Sequence, residues 1–142
     1  MIVPDINLLL YAHISGFVEH GDARHWWEAL LNSHTQVGLA SPVLFGFIRL
    51  CTNHRILDRP MPVDQALGLV EKWLSRPNVQ FLLPGPRHLE IAFGLLRSLG
   101  AAGDLTTDVQ IAALAIEYQA ELHSNDADFK RFIQVRWTNP LV

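Results

Sequence analysis

The segment Val3-Pro4-Asp5-Ile6-Asn7-Leu8-Leu9-Leu10-Tyr11-Ala12 opens the chain and decides its fold class. Its apolar start predicts a short strand that ends near Asp5, because the proline cannot donate a hydrogen bond in the middle of a sheet. The apolar run that follows predicts a helix from Ile6 to His13. The chain therefore begins with a strand and a helix, and an acidic side chain lies at their junction.

The rest of the chain continues this alternation of strands and helices. Amphipathic or apolar spacing predicts helices over residues 19–33, 41–52, 64–75, 87–99 and 106–119 and a short helix over 126–132. Short apolar segments predict strands over residues 36–40, 79–83, 121–124 and 135–137. Strands separated by helices imply a parallel sheet with helices on both faces. We therefore expect a three-layer α/β/α fold with a central parallel sheet of four to five strands.

Length and composition limit the kind of protein this is. The 142 residues and 49% hydrophobic content suit a single domain with one core. The longest apolar runs are far shorter than the roughly 20 residues of a membrane-spanning helix, and no secretory signal opens the chain. We therefore expect a cytoplasmic protein with no membrane partner. The lone Cys51 fits a buried structural thiol better than redox chemistry.

The charge of the chain bears on nucleic-acid binding. A net charge of −3 and a pI near 6.1 argue against strong attraction of nucleic acid to a basic surface. An RNA substrate would need a metal ion to help hold it.

Three acidic residues occupy positions where a metal ion could bind. Asp5 and Asp126 each follow a predicted strand, and Asp108 lies in the first turn of a predicted helix. Taken singly, each also suits a helix cap or first turn. Ligands collect at the carboxyl ends of parallel strands, and three acids there would repel one another without a cation. Oxygen ligands without a thiolate favour Mg²⁺, with Mn²⁺ as an alternative.

Several motifs carry a family resemblance. Three segments resemble the three main motifs of PIN-domain proteins. They are the opening segment, Thr107-Asp108-Val109-Gln110-Ile111-Ala112-Ala113-Leu114-Ala115 and Ser124-Asn125-Asp126-Ala127-Asp128-Phe129. More narrowly, they are similar to those of VapC toxins from bacterial toxin–antitoxin modules. The similarity continues through residues 47–53, 84–88 and 136–140, so it covers essentially the whole chain.

The resemblance implies a fold, an activity and partners. The fold would be a single PIN domain over residues 1–142. The activity would be that of a Mg²⁺-dependent endoribonuclease toxin that hydrolyses RNA phosphodiester bonds. The partners would be RNA, a cognate VapB-type antitoxin and a second copy in a homodimer. Neither the RNA that is cut nor the particular antitoxin follows from the sequence.

The resemblance also implies roles for individual residues. Asp5 and Asp108 match the principal magnesium ligands, and Asp126 matches the acid of the last motif, with Asp128 as its neighbour. All four are candidate catalytic residues, and Asp126 or Asp128 would orient the attacking water. Asn7 stands where the family often has a hydroxyl residue, so it would either bind Asp5 or a metal-bound water or simply start the helix. Arg49 would bind a substrate phosphate or form a structural ion pair.

One expected carboxylate is missing. Many PIN domains place a glutamate in the helix after the second strand, where this chain has Gly46. The gap leaves open whether one or two metal ions bind and which group is the general base. If position 46 is vacant ligand space, Gly46→Glu is expected to strengthen metal binding.

The sequence also allows functions other than RNA cleavage to be weighed. The main alternative is a catalytically impaired PIN-fold module that binds RNA or antitoxin without cutting. An aspartyl-phosphate phosphatase does not fit, because it would need an acid where Asn7 stands. A response-regulator receiver does not fit either, because it would need an acidic pair near the first strand and a late lysine after a strand, and neither is present.

Overall fold

Five strands form the central sheet in a computed structural model that describes residues 1–100 and 102–142. The strands are β1 (Ile2–Pro4), β2 (Val37–Ala40), β3 (Val79–Leu82), β4 (Glu121–His123) and β5 (Arg136–Thr138). The helices are α1 (Ile6–His13), α2 (His20–Leu31), α3 (Ser41–Cys51), α4 (Val63–Leu74), α5 (His88–Leu99) and α6 (Thr106–Glu117). Short 3-10 turns cover Gly103–Leu105 and Ala127–Arg131.

The sheet is parallel and has the strand order β3-β2-β1-β4-β5. In its centre, β1 pairs with β2 on one side and with β4 on the other, with Pro4 opposite His123. The carboxyl ends of β1 and β4 are therefore neighbours at one edge of the sheet. The predicted α/β class and parallel sheet are confirmed, with five strands.

The helices cover both faces of this sheet, as the burial of its inner strands requires. All four residues of β2 are buried, which leaves neither face of that strand to solvent. The core continues into an aromatic cluster in which the rings of Phe47 and Trp73 lie 4.8 Å apart and those of Trp27 and Trp73 5.5 Å apart. Within the two described ranges, no helix is long and apolar enough to cross a membrane.

The predicted elements match the structure to within about two residues at each end. Gly100 ends α5 in the left-handed conformation, with φ of 69°, as expected of a glycine that closes a helix. Helix α6 stops at Glu117, earlier than predicted, and Gln119 has a positive φ of 54°. The predicted short helix over residues 126–132 is a 3-10 turn.

Candidate active site

Asp5 occupies the edge of the sheet where β1 ends. Its backbone N–H donates to the His123 carbonyl at 2.8 Å, so the residue stays in register with β4. Its Oδ1 accepts from the Ile6 N–H at 2.7 Å and thereby caps α1. The side chain is 6% exposed. The strand and the helix start thus fix both the position and the orientation of this carboxylate.

Ser124 holds the second oxygen of Asp5. This serine is fully buried, and its hydroxyl donates to Asp5 Oδ2 at 2.7 Å. The same Oγ accepts from the Asp126 N–H at 2.9 Å. One hydroxyl therefore ties the carboxylate after β1 to the loop after β4. The sequence alone does not single out Ser124. Its position at the end of a predicted strand, two residues before the candidate ligand Asp126, is the one feature that could have indicated it.

Asp126 and Asp128 lie on that loop. Asp126 caps the 3-10 turn, because its Oδ1 accepts from the Asp128 N–H at 2.8 Å. Asp128 is exposed at the rim, whereas Asp126 is half-buried. Asp5 and Asp126 therefore do cap helical turns, as their positions in the sequence allowed. A carboxylate oxygen has two lone pairs, so capping still leaves acceptor sites for a ligand.

Asp108 approaches the other acids from the first turn of α6, where it is half-buried. Burial, together with the smaller effect of the charges of Asp5, Asp126 and Asp128, raises the pKa of Asp108 to about 7. Burial likewise raises the pKa of Asp5, with a smaller contribution from Asp126 and opposition from the hydrogen bonds of Ser124 and Ile6. The structure thus brings all four predicted acids to one edge of the sheet.

The cluster fits a divalent cation chemically but is not closed around one. The donor atoms are carboxylate oxygens, and no Lys or Arg in the described ranges forms a salt bridge with the four acids. Hard cations prefer such oxygen ligands. Among the described residues, however, no three His, Cys, Asp or Glu side chains are yet grouped closely enough to hold a metal ion.

The two predicted substrate-binding residues have different surroundings. Asn7 donates from Nδ2 to Ser124 Oγ and accepts at Oδ1 from the Asn125 N–H, both at 3.4 Å. It therefore supports Asp5 through Ser124 and does not bind the carboxylate directly. Arg49 is exposed in the last turn of α3, about 12 Å along the helix from its start, and forms no salt bridge with any described residue. The structure does not bring it next to the acids.

Gly46 does not leave a vacancy for the missing carboxylate. It is buried in α3, and a Cβ built on it would run into the Cδ1 and Cγ1 atoms of Ile6, the residue after Asp5. The position that the sequence suggested as empty ligand space is filled by an apolar side chain. Gly46→Glu would therefore strengthen metal binding only if the Ile6 side chain moved aside.

Comparison with known proteins identifies the family. A sequence profile of the PIN domain matches residues 2–133. Ribonuclease VapC33 of Mycobacterium tuberculosis is 57% identical over 141 residues, which are 99% of each chain. The chain belongs to the VapC family of PIN-domain proteins. The sequence-based recognition of this family is therefore confirmed.

Solved VapC structures share the fold of this VapC-family chain. VapBC2 from Rickettsia felis, solved bound to a DNA fragment from its promoter, gives a TM-score of 0.70 at 21% identity and covers 98% of both chains. Mycobacterium tuberculosis VapC20, described as a Sarcin-Ricin loop cleaving toxin, gives 0.68 at 18% identity and covers 96% of this chain and 98% of its own. At these identities the comparison supports the three-layer fold alone.

Proposed function

We propose that this VapC-family protein is a Mg²⁺-dependent endoribonuclease and the toxin of a toxin–antitoxin pair. The observation that carries the proposal is the group of four carboxylates at the edge of the sheet where β1 and β4 end, which form no salt bridge with a Lys or Arg among the described residues. Such a group is unfavourable unless a cation or protons compensate the charge. The full-length similarity to a protein named Ribonuclease VapC33 supports RNA as the substrate.

In this proposal Asp5, Asp108 and Asp126 hold Mg²⁺, and Mn²⁺ suits the same oxygens. The ion supplies positive charge that polarises the scissile phosphate and acidifies a water for in-line attack. Ser124 and the Ile6 N–H keep Asp5 pointed at the site, since each holds one of its oxygens. We propose that Asp128, which is exposed at the rim, orients the attacking water and accepts its proton. Because Ile6 fills the space beside Gly46, we propose one metal ion.

The proposed partners are a VapB-type antitoxin and a second copy of the chain. VapBC2 was solved as a VapBC assembly, which supports the antitoxin. Exposed Leu89 (62%) and Phe93 (47%), one turn apart on α5, support a homodimer because they form an apolar stripe. Light scattering should give twice the chain mass for the wild type and the monomer mass for Phe93→Glu; a monomeric wild type would contradict the dimer.

RNA cleavage with and without Mg²⁺ tests the proposed activity. We expect cleavage by the wild type in Mg²⁺, none in excess chelator, and a loss of at least about 100-fold in Asp5→Asn and Asp108→Asn. Asp64→Asn is the matched control, because it also removes one acid from the first turn of a helix but lies outside the cluster. Cleavage that survives chelation, or persists in both cluster variants, would contradict the metal mechanism.

A binding module remains the second candidate. It is favoured by the glycine at position 46, and by the absence, among the described residues, of three His, Cys, Asp or Glu side chains grouped closely enough to hold a metal ion. This function predicts RNA or antitoxin binding with no cleavage at saturating Mg²⁺. The same cleavage assay therefore separates the two candidates.

A further inference from the structure

A cavity lies on the same edge of the sheet as the acids. Its volume is about 400 Å³, and it lies where β2 and β3 end, between these strands and α6. The residues that line it and matter here are Ser41, Phe81, Leu83, Pro84, His88 and Gln110. Neither the mechanism above nor the family comparison assigns this cavity a role.

The topology places the cavity beside the acid cluster. Ser41 follows β2, which pairs with β1, and Asp5 follows β1. Leu83 follows β3, two strands from β1, a separation of about 10 Å. Gln110 lies on α6 two residues after Asp108, so one helix contributes to both sites. A strand of RNA with a phosphate at the acids can therefore extend to the cavity.

The lining matches a flat, uncharged and partly polar ligand. No Asp, Glu, Lys or Arg is among the described residues that line the cavity, so neither a phosphate nor an ionised side chain finds a counter-charge there. Phe81 and Leu83 form its apolar wall and remain 45% and 61% exposed. Nucleobases combine a stacking face with polar edges, and aromatic side chains stack on that face.

A polar group in the wall is available to read the edge of a base. The Gln110 amide makes one long hydrogen bond, 3.4 Å to the Thr106 carbonyl, and can exchange it for a better one. A ligand with donors and acceptors on its rim would offer the Gln110 amide a better partner.

We infer that this cavity binds a nucleobase of the RNA, next to the nucleotide whose phosphate is cut. The base would lie against Phe81, and Gln110 would contact its edge. This inference rests on the proposed ribonuclease function and adds to it the residues that select the sequence. It makes Phe81 and Gln110 specificity residues that act on substrate binding.

The base preference of cleavage tests the inference. The wild type, Phe81→Ala and Gln110→Ala are each given a pool of short RNAs of random sequence with Mg²⁺, and the cut sites are sequenced. We expect both variants to lose about tenfold in discrimination at one position near the cut. On one preferred RNA their KM should rise by a similar factor with kcat kept, because the contact serves binding. Gln80→Ala, an exposed glutamine on β3 that does not line the cavity, should match the wild type.

The outcomes separate this inference from the proposed function. Wild-type cleavage with unchanged base preference and KM in both variants would overturn the cavity assignment and leave the ribonuclease standing. Unchanged preference with loss of antitoxin neutralisation would also overturn it, because the cavity would then bind a protein side chain. If Phe81→Ala fails to fold, Gln110→Ala alone decides.

A binding measurement covers the case in which the wild type cuts no RNA and the proposed function fails. Fluorescence anisotropy then compares a labelled RNA oligomer with the same oligomer lacking its bases. The cavity assignment predicts about tenfold tighter binding of the base-bearing oligomer by the wild type and no such difference in Phe81→Ala. Equal affinity of the wild type for both oligomers would overturn it.

Discussion

Replacing Asp108 with asparagine should stabilise the metal-free protein at alkaline pH. Burial and three neighbouring acids raise the pKa of Asp108 from 3.8 to about 7. At about 1.4 kcal/mol for each pKa unit, this rise would correspond to about 4 kcal/mol for a fully enclosed group. Asp108 is half-buried, and solvent screening reduces the effect. We expect Asp108→Asn to raise the free energy of unfolding by about 1 to 2 kcal/mol at pH 8.

The sign of the pH dependence follows from the direction of the pKa change. Between pH 4 and pH 7 the folded state holds a proton on Asp108 that the unfolded state has lost, so the wild type loses stability as pH rises through this range. Asparagine cannot ionise. The gain in stability of Asp108→Asn over the wild type should therefore be near zero at pH 4 and complete by pH 8.

Urea denaturation in excess chelator at pH 4, 6 and 8 measures this difference. Asp64→Asn is the control, because Asp64 is exposed and also lies in the first turn of a helix. It shares any loss of helix-dipole stabilisation but not the repulsion. A difference between the two variants that stays constant from pH 4 to pH 8, or a net destabilisation of Asp108→Asn at pH 8 relative to Asp64→Asn, would refute the electrostatic account.

Two further substitutions probe the supports of the site. Ser124→Ala should cost about 2 kcal/mol by urea denaturation and raise the Mg²⁺ concentration for half-maximal cleavage, because Asp5 Oδ2 and the Asp126 N–H lose a buried partner. Ser75→Ala is the control: it removes a hydroxyl that donates to a helix-end carbonyl and should change neither the stability nor the Mg²⁺ requirement. An unchanged Mg²⁺ requirement in Ser124→Ala would argue against a positioning role for Ser124. Gly46→Glu should destabilise the fold by about 2 kcal/mol, since position 46 is buried and its Cβ displaces Ile6. Gly68→Glu on α4 adds the same side chain in open space and should leave the free energy of unfolding nearly unchanged. Tighter Mg²⁺ binding by Gly46→Glu would show that position 46 can supply a metal ligand despite Ile6.

Most of the fold follows from patterns within short segments of sequence. The alternation of apolar strands with amphipathic helices predicts the parallel sheet, and Asp5, Asp108 and Asp126 each lie at a strand end or helix start that such patterns locate. Because parallel strands end at a common edge, the approach of these acids is also predictable. Their chemical roles remain predictions.

The supports of the site depend on contacts between distant segments, and the sequence does not reveal them. Ser124 matters because β1 lies beside β4, which brings it to Asp5 across 119 positions of sequence. Gly46 suggests a missing ligand until α1 and α3 are packed together and Ile6 fills the space. Arg49 lies on the expected helix, but at the end far from the acids.

Calorimetric titration of Mg²⁺ into the protein at pH 7.5 tests the central claim, that these carboxylates form one metal site. We predict one ion bound per chain in the wild type and in Asp64→Asn, and binding lost or weakened by at least about tenfold in Asp5→Asn and Asp108→Asn. Wild-type affinity retained in both cluster variants, or two ions bound per chain, would contradict this account.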